Sequence, residues 1–573
     1  MNDKKLYMIG NAHLDPVWLW QWQEGFQEIK ATFRSALDRM NEYPEFVFTS
    51  SSAAYYEWIE HNDPAMFEEI KRRVAEGRWQ IVGGWWVEPD ANLPSGESFV
   101  RQALYGQRYF RDKLGVTART GYSVDSFGHA GTLPQILKKS GLDYYVFLRP
   151  GAHEKGLSAP LFRWESDDGS QVLAFRIPYE YCTSGEDIEK HVRRCAAELK
   201  SPLNRVMCFY GVGNHGGGPT RKNIESIRRL RECADLPELV FSSPDRFFAD
   251  VESDNANLPV VHHDLQNHAR GCYSAHSAVK RWNRQAENLL ATAEKFASIA
   301  ARVTGQPYPA ADLRQAWKAV LFNQFHDILA GTSIEAAYED ARNGYGEAAG
   351  LASRALNHAV QSLAWNIRIA PEEGSQPLVV FSPHAWQSKT NVELEFGKWS
   401  DGNRLVDDGG HNVPVQLAQP QGSAKERSRL CFVADLPPLG YRLYRVTSTP
   451  VPERRQGTEL PLIATDATLE NEYLRLEIDP LSGCIGSLYD KRANVQVFER
   501  EAARAVVLQD ESDTWSHNTF RYDCPAGEFR PRRVRLVEHG PVRAVIRVES
   551  EYGASLLVQD FTLYRELDQV DVR

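Results

Sequence analysis

The chain has 573 residues, 42% apolar and 25% charged, enough for about three or four folded domains. Its net charge is −10 with no basic run, which argues against nucleic acid or anionic membranes as partners. None of the eight cysteines forms a C-x-x-C pair and none precedes Cys182, which argues against a disulfide scaffold or a thiolate zinc site.

The opening "MNDKKLYMIGNAHLD" lacks the apolar core of a signal peptide, and no apolar run is long enough to span a bilayer. A cytoplasmic protein is expected. Residues 1–265 alternate short apolar runs, such as "KLYMIG", "FVFTS", "WQIVGGWW", "TGYSV", "YYVFLR", "VLAFRIP" and "VMCFYGV", with amphipathic stretches. In "FQEIKATFRSALDRM", Phe26, Ile29, Phe33 and Leu37 mark one face of a helix. Repeated strand–helix units predict a mainly parallel sheet or barrel, with chemistry at the carboxyl ends of its strands. Residues 266–370 read as three helices. The first carries Ala278, Trp282, Ala286, Leu289, Ala293, Phe296 and Ala300 on one stripe. From 371 to 573 the pattern becomes two-residue alternation, as at Val542, Ala544, Ile546 and Val548, which predicts a β-sandwich region. Segments 418–428 and 449–459 read as exposed loops. The chain stops at "DQVDVR" with no closing element, so the β region is expected to continue in a longer protein.

Five segments carry side chains suited to chemistry. In "NAHLDPVWLWQ", His13 and Asp15 stand two apart and so point to one side of an extended segment, half of a zinc-type site. A hydrogen-bonded loop pair explains them equally simply. "GGWWVEPDANLPSGES" offers Glu88 and Asp90, as substrate contacts or as loop residues. In "GYSVDSFGHAGTLPQ", Asp125 ends a strand, where a carboxylate is well placed for catalysis or for capping the next helix; His129 reads as structural. In "FYGVGNHGGGPT", five glycines surround Asn214 and His215; without a terminal Gly-Lys-Ser/Thr this is no P-loop, and the glycines suit close approach of a substrate to backbone. In "NQFHDILAGTS", His326 and Asp327 fall in the last turns of a predicted helix, where a histidine can simply oppose the helix dipole.

Taken in order, these segments resemble glycoside hydrolase family 38, the zinc-dependent retaining α-mannosidases. "NAHLDPVWLW", "VDSFGH", "RGCYSAHSAVKRWNR" and "NQFHDILAGT" are similar to the family's His-x-Asp opening, nucleophile segment, middle-domain start and histidine–aspartate helix. The resemblance implies a seven-stranded α/β barrel, a three-helix bundle and β-sandwich domains. It implies one Zn2+ per subunit held by His13, Asp15, Asp125 and His326, with Asp125 also the nucleophile. Trp18 and Phe127 would wall the sugar subsite, while Arg149 and Asp327 would contact substrate or nucleophile. The implied reaction releases terminal α-D-mannosyl residues from oligosaccharides or small mannosides through a covalent mannosyl–aspartate. Some relatives carry a carboxylate acid/base where this chain has Asn214 and His215, so His215 becomes the candidate here. Two alternatives stand beside this reading: a metal-dependent carbohydrate deacetylase and a non-catalytic mannose-binding protein. A homo-oligomer is a further expectation.

Overall fold

Apolar runs buried on both faces are the mark of parallel strands covered by helices, and "KLYMIGN" forms such a strand, β1 (Lys5–Asn11), buried along all but its first residue. The computed structural model describes residues 4–199, 204–253, 257–266, 268–397, 399–422, 427–448 and 462–573. The loop expected at 449–459 lies outside the described residues, as do 423–426 of the loop expected at 418–428.

β1 is followed by β2 (Phe48–Ser50), β3 (Trp79–Ile81), β4 (Thr120–Ser123), β5 (Tyr144–Phe147), β6 (Leu161–Glu165), β7 (Gln171–Arg176), β8 (Arg205–Tyr210), β9 (Glu238–Phe241) and β10 (Val260–Val261). The resemblance implies one seven-stranded barrel. Among the described residues the ladders join these ten strands in two sheets. One runs β3-β2-β1-β8 with β9 beside β1, and the other runs β10-β6-β7-β5-β4. All pairs are parallel except β6–β7. Between β3 and β4, Gly83 N–H donates to the Thr120 carbonyl (2.8 Å) across the seam of the two sheets.

The helix after β1 spans Trp22–Glu42 and buries Ile29, Phe33 and Leu37, as its periodicity predicts. Gly25 is required in its first turn, because a Cβ there would come within 2.1 Å of the Pro16 carbonyl oxygen. Trp20 is buried and its indole N–H donates to the Asp15 carbonyl (2.9 Å), whereas Trp22 is exposed.

Two helical readings shift. On the helix Ser277–Thr304, Ala286, Ala293, Phe296 and Ala300 of the apolar stripe are buried as expected, while in its first half Val279, Asn283, Glu287 and Leu290 are buried in place of Ala278, Trp282 and Leu289. The helix predicted through "DLRQAWKAVLFNQFHDILAG" is two helices, Ala310–Asn323 and His326–Ala330, with the latter closed by Gly331 at φ +88°. One polar knot explains both. The wholly buried Gln324 side-chain amide donates to Ser98 Oγ (2.9 Å), Asn283 Oδ1 (2.9 Å) and Glu287 Oε1 (3.1 Å), and the Gln324 backbone carbonyl accepts from Asp90 N–H (2.9 Å). These bonds satisfy polar groups that periodicity alone would place in solvent, and they interrupt the helix. A third long helix spans Glu335–Asn366.

Packing divides the chain into two units. One comprises Met1–Glu294, Pro309–Leu356 and Ser512–Phe520; the other comprises Lys295–Tyr308, Asn357–Glu511 and Arg521–Arg573. In the second unit the strands are antiparallel. One core there gathers Leu405, Tyr444 and Val446 from one sheet and Leu430, Phe432 and Leu436 from another. A second core gathers Leu469, Leu476 and Ile478 with Ile546, Val548 and Phe561. Among the described residues, no helix is long and apolar enough to cross a membrane.

Candidate functional site

The backbone between His13 and Asp15 is extended, because Leu14 bridges in parallel to Asn214. His13 and Asp15 therefore project to the same side. Asp125 stands two residues past β4, and His326 opens the short helix after the Gln324 break. The four side chains meet: one ligand atom from each lies within 4.8 Å of all the others. His13 Nε2 is 2.9 Å from Asp15 Oδ1 and 3.7 Å from Asp125 Oδ2. His326 Nε2 is 3.7 Å from both of those oxygens.

Metal–ligand bonds of about 2.0–2.2 Å put neighbouring ligand atoms about 3–4 Å apart, so these spacings suit a single ion. Both histidine Nε2 atoms and Asp15 Oδ1 are buried without a hydrogen-bond partner. Buried polar atoms left unpaired are costly, and a cation at their common focus would satisfy all three. The donor set of two imidazoles and two carboxylates could therefore hold a metal.

Glu88, in the loop after β3, touches three of the four. Its Oε1 accepts from Asp125 N–H (2.9 Å), and its Oε2 lies 3.2 Å from His13 Nδ1, a close charge contact. Its carbonyl oxygen lies 3.0 Å from His326 Nδ1. An acceptor beside each Nδ1 keeps the proton there and leaves both Nε2 atoms bare toward the focus.

Burial opposes charge on His13 and His326. The carboxylates of Glu88 and Asp15 around the first, and of Asp125 and Asp15 around the second, outweigh it and hold both imidazoles well above their usual range. Burial also acts to raise the Asp125 carboxyl, but the Arg149 guanidinium and the two histidines hold it well below the usual carboxylate range. Arg149 Nε and Nη2 each lie 2.7 Å from Asp125 Oδ1, which leaves Oδ2 turned toward the histidines. Burial pushes Asp327 up to about 7 against the pull of His326.

The remaining sequence candidates divide. Phe127 is buried with its ring edge-on to His326 at 5.7 Å. Trp18 is half-buried beside Trp20, and its indole N–H is buried without an acceptor. Asp327 Oδ2 lies 3.7 Å from His326 Nε2, and Thr332 Oγ1 donates to its Oδ1. His215 is half-exposed; its Nε2 lies 2.8 Å from Glu24 Oε1 and its ring 4.4 Å from Trp20, outside the four-ligand group. Asn214 sits closer in: its N–H donates to the His13 carbonyl (2.7 Å), its carbonyl accepts from Asp15 N–H (3.0 Å), and its Oδ1 accepts from Tyr181 (3.1 Å). Asp90 caps its own turn through the N–H groups of Asn92 and Leu93 (2.9 and 2.7 Å). His129 is structural. Burial holds its imidazole down to about 3, and it lies 2.8 Å from both the Arg149 carbonyl and the Tyr145 hydroxyl.

Sequence reasoning missed Tyr181, whose ring stands edge-on to His13 at 5.0 Å. It also missed Trp515, which packs against Phe127, Ala269, Cys272 and Ala330 within the first unit. Neither residue stands in a motif; long-range packing alone brings them in.

Residues 3–271 match the family model described as "Glycosyl hydrolases family 38 N-terminal domain", 267–363 the "Alpha mannosidase middle domain" and 469–573 the "Glycosyl hydrolases family 38 C-terminal domain". Among relatives, Alpha-mannosidase G of Dictyostelium discoideum is 28% identical, covering 95% of this chain and 52% of that protein. Alpha-mannosidase 2C1 of Homo sapiens is 32% identical, covering 88% of this chain and 46% of that protein. The chain thus spans about half the length of these relatives. A solved structure, an alpha-mannosidase from Enterococcus faecalis V583, superposes with a TM-score of 0.80 at 19% identity, covering 99% of this chain and 73% of that one, a likeness of fold.

Proposed function

The chain belongs to glycoside hydrolase family 38, and from that premise we propose that it is a retaining α-mannosidase whose nucleophile is Asp125. The observation that carries the reading is the convergence of His13, Asp15, Asp125 and His326 on one point, with Arg149 gripping the far oxygen of Asp125. Bound by those four side chains, zinc, which suits their ligand mix, would supply Lewis acidity that orients the cis 2- and 3-hydroxyls of mannose.

The chain's own residues do the rest. Arg149 keeps Asp125 ionised and fixes its plane. The anion then stabilises positive charge at the anomeric carbon and forms the mannosyl ester as the glycosidic C–O bond breaks. The leaving oxygen takes its proton from His215, the titratable side chain of the loop clamped onto the His13–Asp15 segment; Asn214 has no proton of that kind to give. Water, giving a proton to the now neutral His215, then attacks the ester at the anomeric carbon and releases mannose, regenerating Asp125 and the acid. Trp18 and Phe127 wall the sugar, and Asp327 accepts from it. The same reading takes residues 1–265 as an α/β barrel, 266–370 as a three-helix bundle and 371–573 as a β-sandwich region, in a cytoplasmic protein. No observation favours a deacetylase or a non-catalytic mannose-binding protein.

The test is to assay 4-nitrophenyl α-mannoside hydrolysis with and without a chelator, and to trap Asp125 with a 2-fluoromannosyl donor. Chelator-sensitive turnover and labelled Asp125 are expected. A label elsewhere, or equal cleavage of the α-glucoside, refutes the assignment.

A further inference from the structure

A cavity of about 540 Å³ opens beside the proposed nucleophile, in the first unit. Its wall includes Arg149, Glu154, Arg176, Tyr179, Glu198 and His268. Arg149 is shared with the site, since the same guanidinium holds Asp125. His268 is shared too, its ring tilted against Phe127 at 6.0 Å and its Nε2 3.3 Å from Arg149 Nη1. The cavity therefore adjoins the position a mannosyl residue would occupy and is placed to receive what is attached to it.

The wall also carries Glu180 and Arg194, whose Nη1 lies 3.9 Å from Glu180 Oε1, and of its arginines only Arg176 lacks a carboxylate among the described residues. Arg149 is paired with Asp125. Glu154 accepts from Gly151 N–H (2.7 Å) and meets His268 Nδ1 at 2.6 Å. Glu198 accepts from the Tyr179 hydroxyl (2.6 Å). Arg176, the last residue of β7, is only 8% exposed, yet its one side-chain bond is from Nη1 to the neutral Lys155 carbonyl (2.7 Å). It has no carboxylate partner among the described residues. A buried guanidinium without a counter-charge is unfavourable, and its fork of donors matches the oxygens of a carboxylate or phosphate. Burial presses its pKa below the ordinary arginine value, and no acid offsets the shift. Register places Arg176 opposite Phe147, two residues before Arg149, so both arginines leave the carboxyl ends of adjacent parallel strands on the side of the site.

We infer that this cavity is a leaving-group subsite for an oxyanion, so that preferred substrates are α-mannosides whose aglycone carries a carboxylate or phosphate held by Arg176. The inference rests on the mannosidase reading and narrows its substrate class.

The experiment compares kcat/KM for carboxymethyl α-mannoside, 2-phosphoethyl α-mannoside and neutral carbamoylmethyl α-mannoside. It uses the wild type, Arg176→Met and Arg176→Lys, with melting temperatures as the folding control. Wild type is expected to favour at least one anionic substrate over the amide by roughly tenfold or more, as for a hydrogen bond to a charged group. Arg176→Met should bring the ratio near one, and Arg176→Lys should retain part of it. The anion that keeps the larger ratio tells carboxylate from phosphate. A wild-type ratio near one overturns the inference without variants, as does an unchanged ratio in folded Arg176→Met, and the mannosidase reading survives either result. If wild type leaves every mannoside intact, 4-nitrophenyl α-mannoside included, that reading fails and this inference with it.

Discussion

Replacing Glu88 by Gln tests the metal-site geometry without removing a ligand. The carboxylate uses both oxygens: Oε1 accepts from Asp125 N–H at 2.9 Å, and Oε2 lies 3.2 Å from His13 Nδ1 as a charge contact. A glutamine side chain has one oxygen. Asp125 N–H can only donate, so the amide oxygen must stay there and the NH2 group turns to His13. Nδ1 then becomes the acceptor and the proton moves to Nε2, the atom a metal needs bare. His326 is unaffected, because it is held by the Glu88 backbone carbonyl. One histidine of two is therefore mis-set. Loss of such outer partners typically weakens metal binding about 10- to 100-fold, or about 1.4–2.7 kcal/mol. Competition with a chromogenic chelator measures the zinc affinity directly, apart from turnover. Glu88→Gln should bind zinc at least about tenfold more weakly while keeping the apo melting temperature near wild type. Affinity within twofold of wild type would refute the reasoning.

Other expectations follow from the same geometry. Asp125→Asn should lower kcat by roughly 10³-fold or more, yet still bind mannose in equilibrium dialysis; turnover near wild type would remove it as nucleophile. His215→Gln should cost about 10²- to 10⁴-fold on alkyl mannosides but far less on 2,4-dinitrophenyl mannoside, whose leaving group needs no proton; equal losses on both would deny it the acid role. Gln324→Ala removes one donor each from Ser98, Asn283 and Glu287, which keep other partners, so urea unfolding should show a loss of about 1 kcal/mol or more; no loss would mean the polar knot is dispensable.

The strand ends were the legible part of the site. His13, Asp15, Asp125 and Arg149 each follow an apolar run by a few residues, and a parallel strand order brings such positions to one edge. His326 stood out in "NQFHDILAGTS", but its part as a metal ligand came from the resemblance: helical periodicity runs through it, and the break that frees it is made by Gln324 with partners 226, 41 and 37 residues away. The first half of the stripe on Ser277–Thr304 shifts for the same reason, since Asn283 and Glu287 enter the interior through bonds no local window contains, while Ala293, Phe296 and Ala300 are buried as the pattern predicts. Glu88 looked no more telling than Asp90 in sequence, because both stand in one polar loop. Only the fold turns Glu88 toward two histidines and Asp90 toward its own turn.

The chain returns to its first unit at Ser512–Phe520, some 150 residues after leaving it, and Trp515 is the residue it delivers against Phe127. Cutting the gene at the edge of the helical region would therefore produce a fragment holding every residue of the metal centre but with one side of the nucleophile's aromatic neighbour stripped bare. A wall begun at Phe127 is thus completed by a residue 388 positions later in the chain.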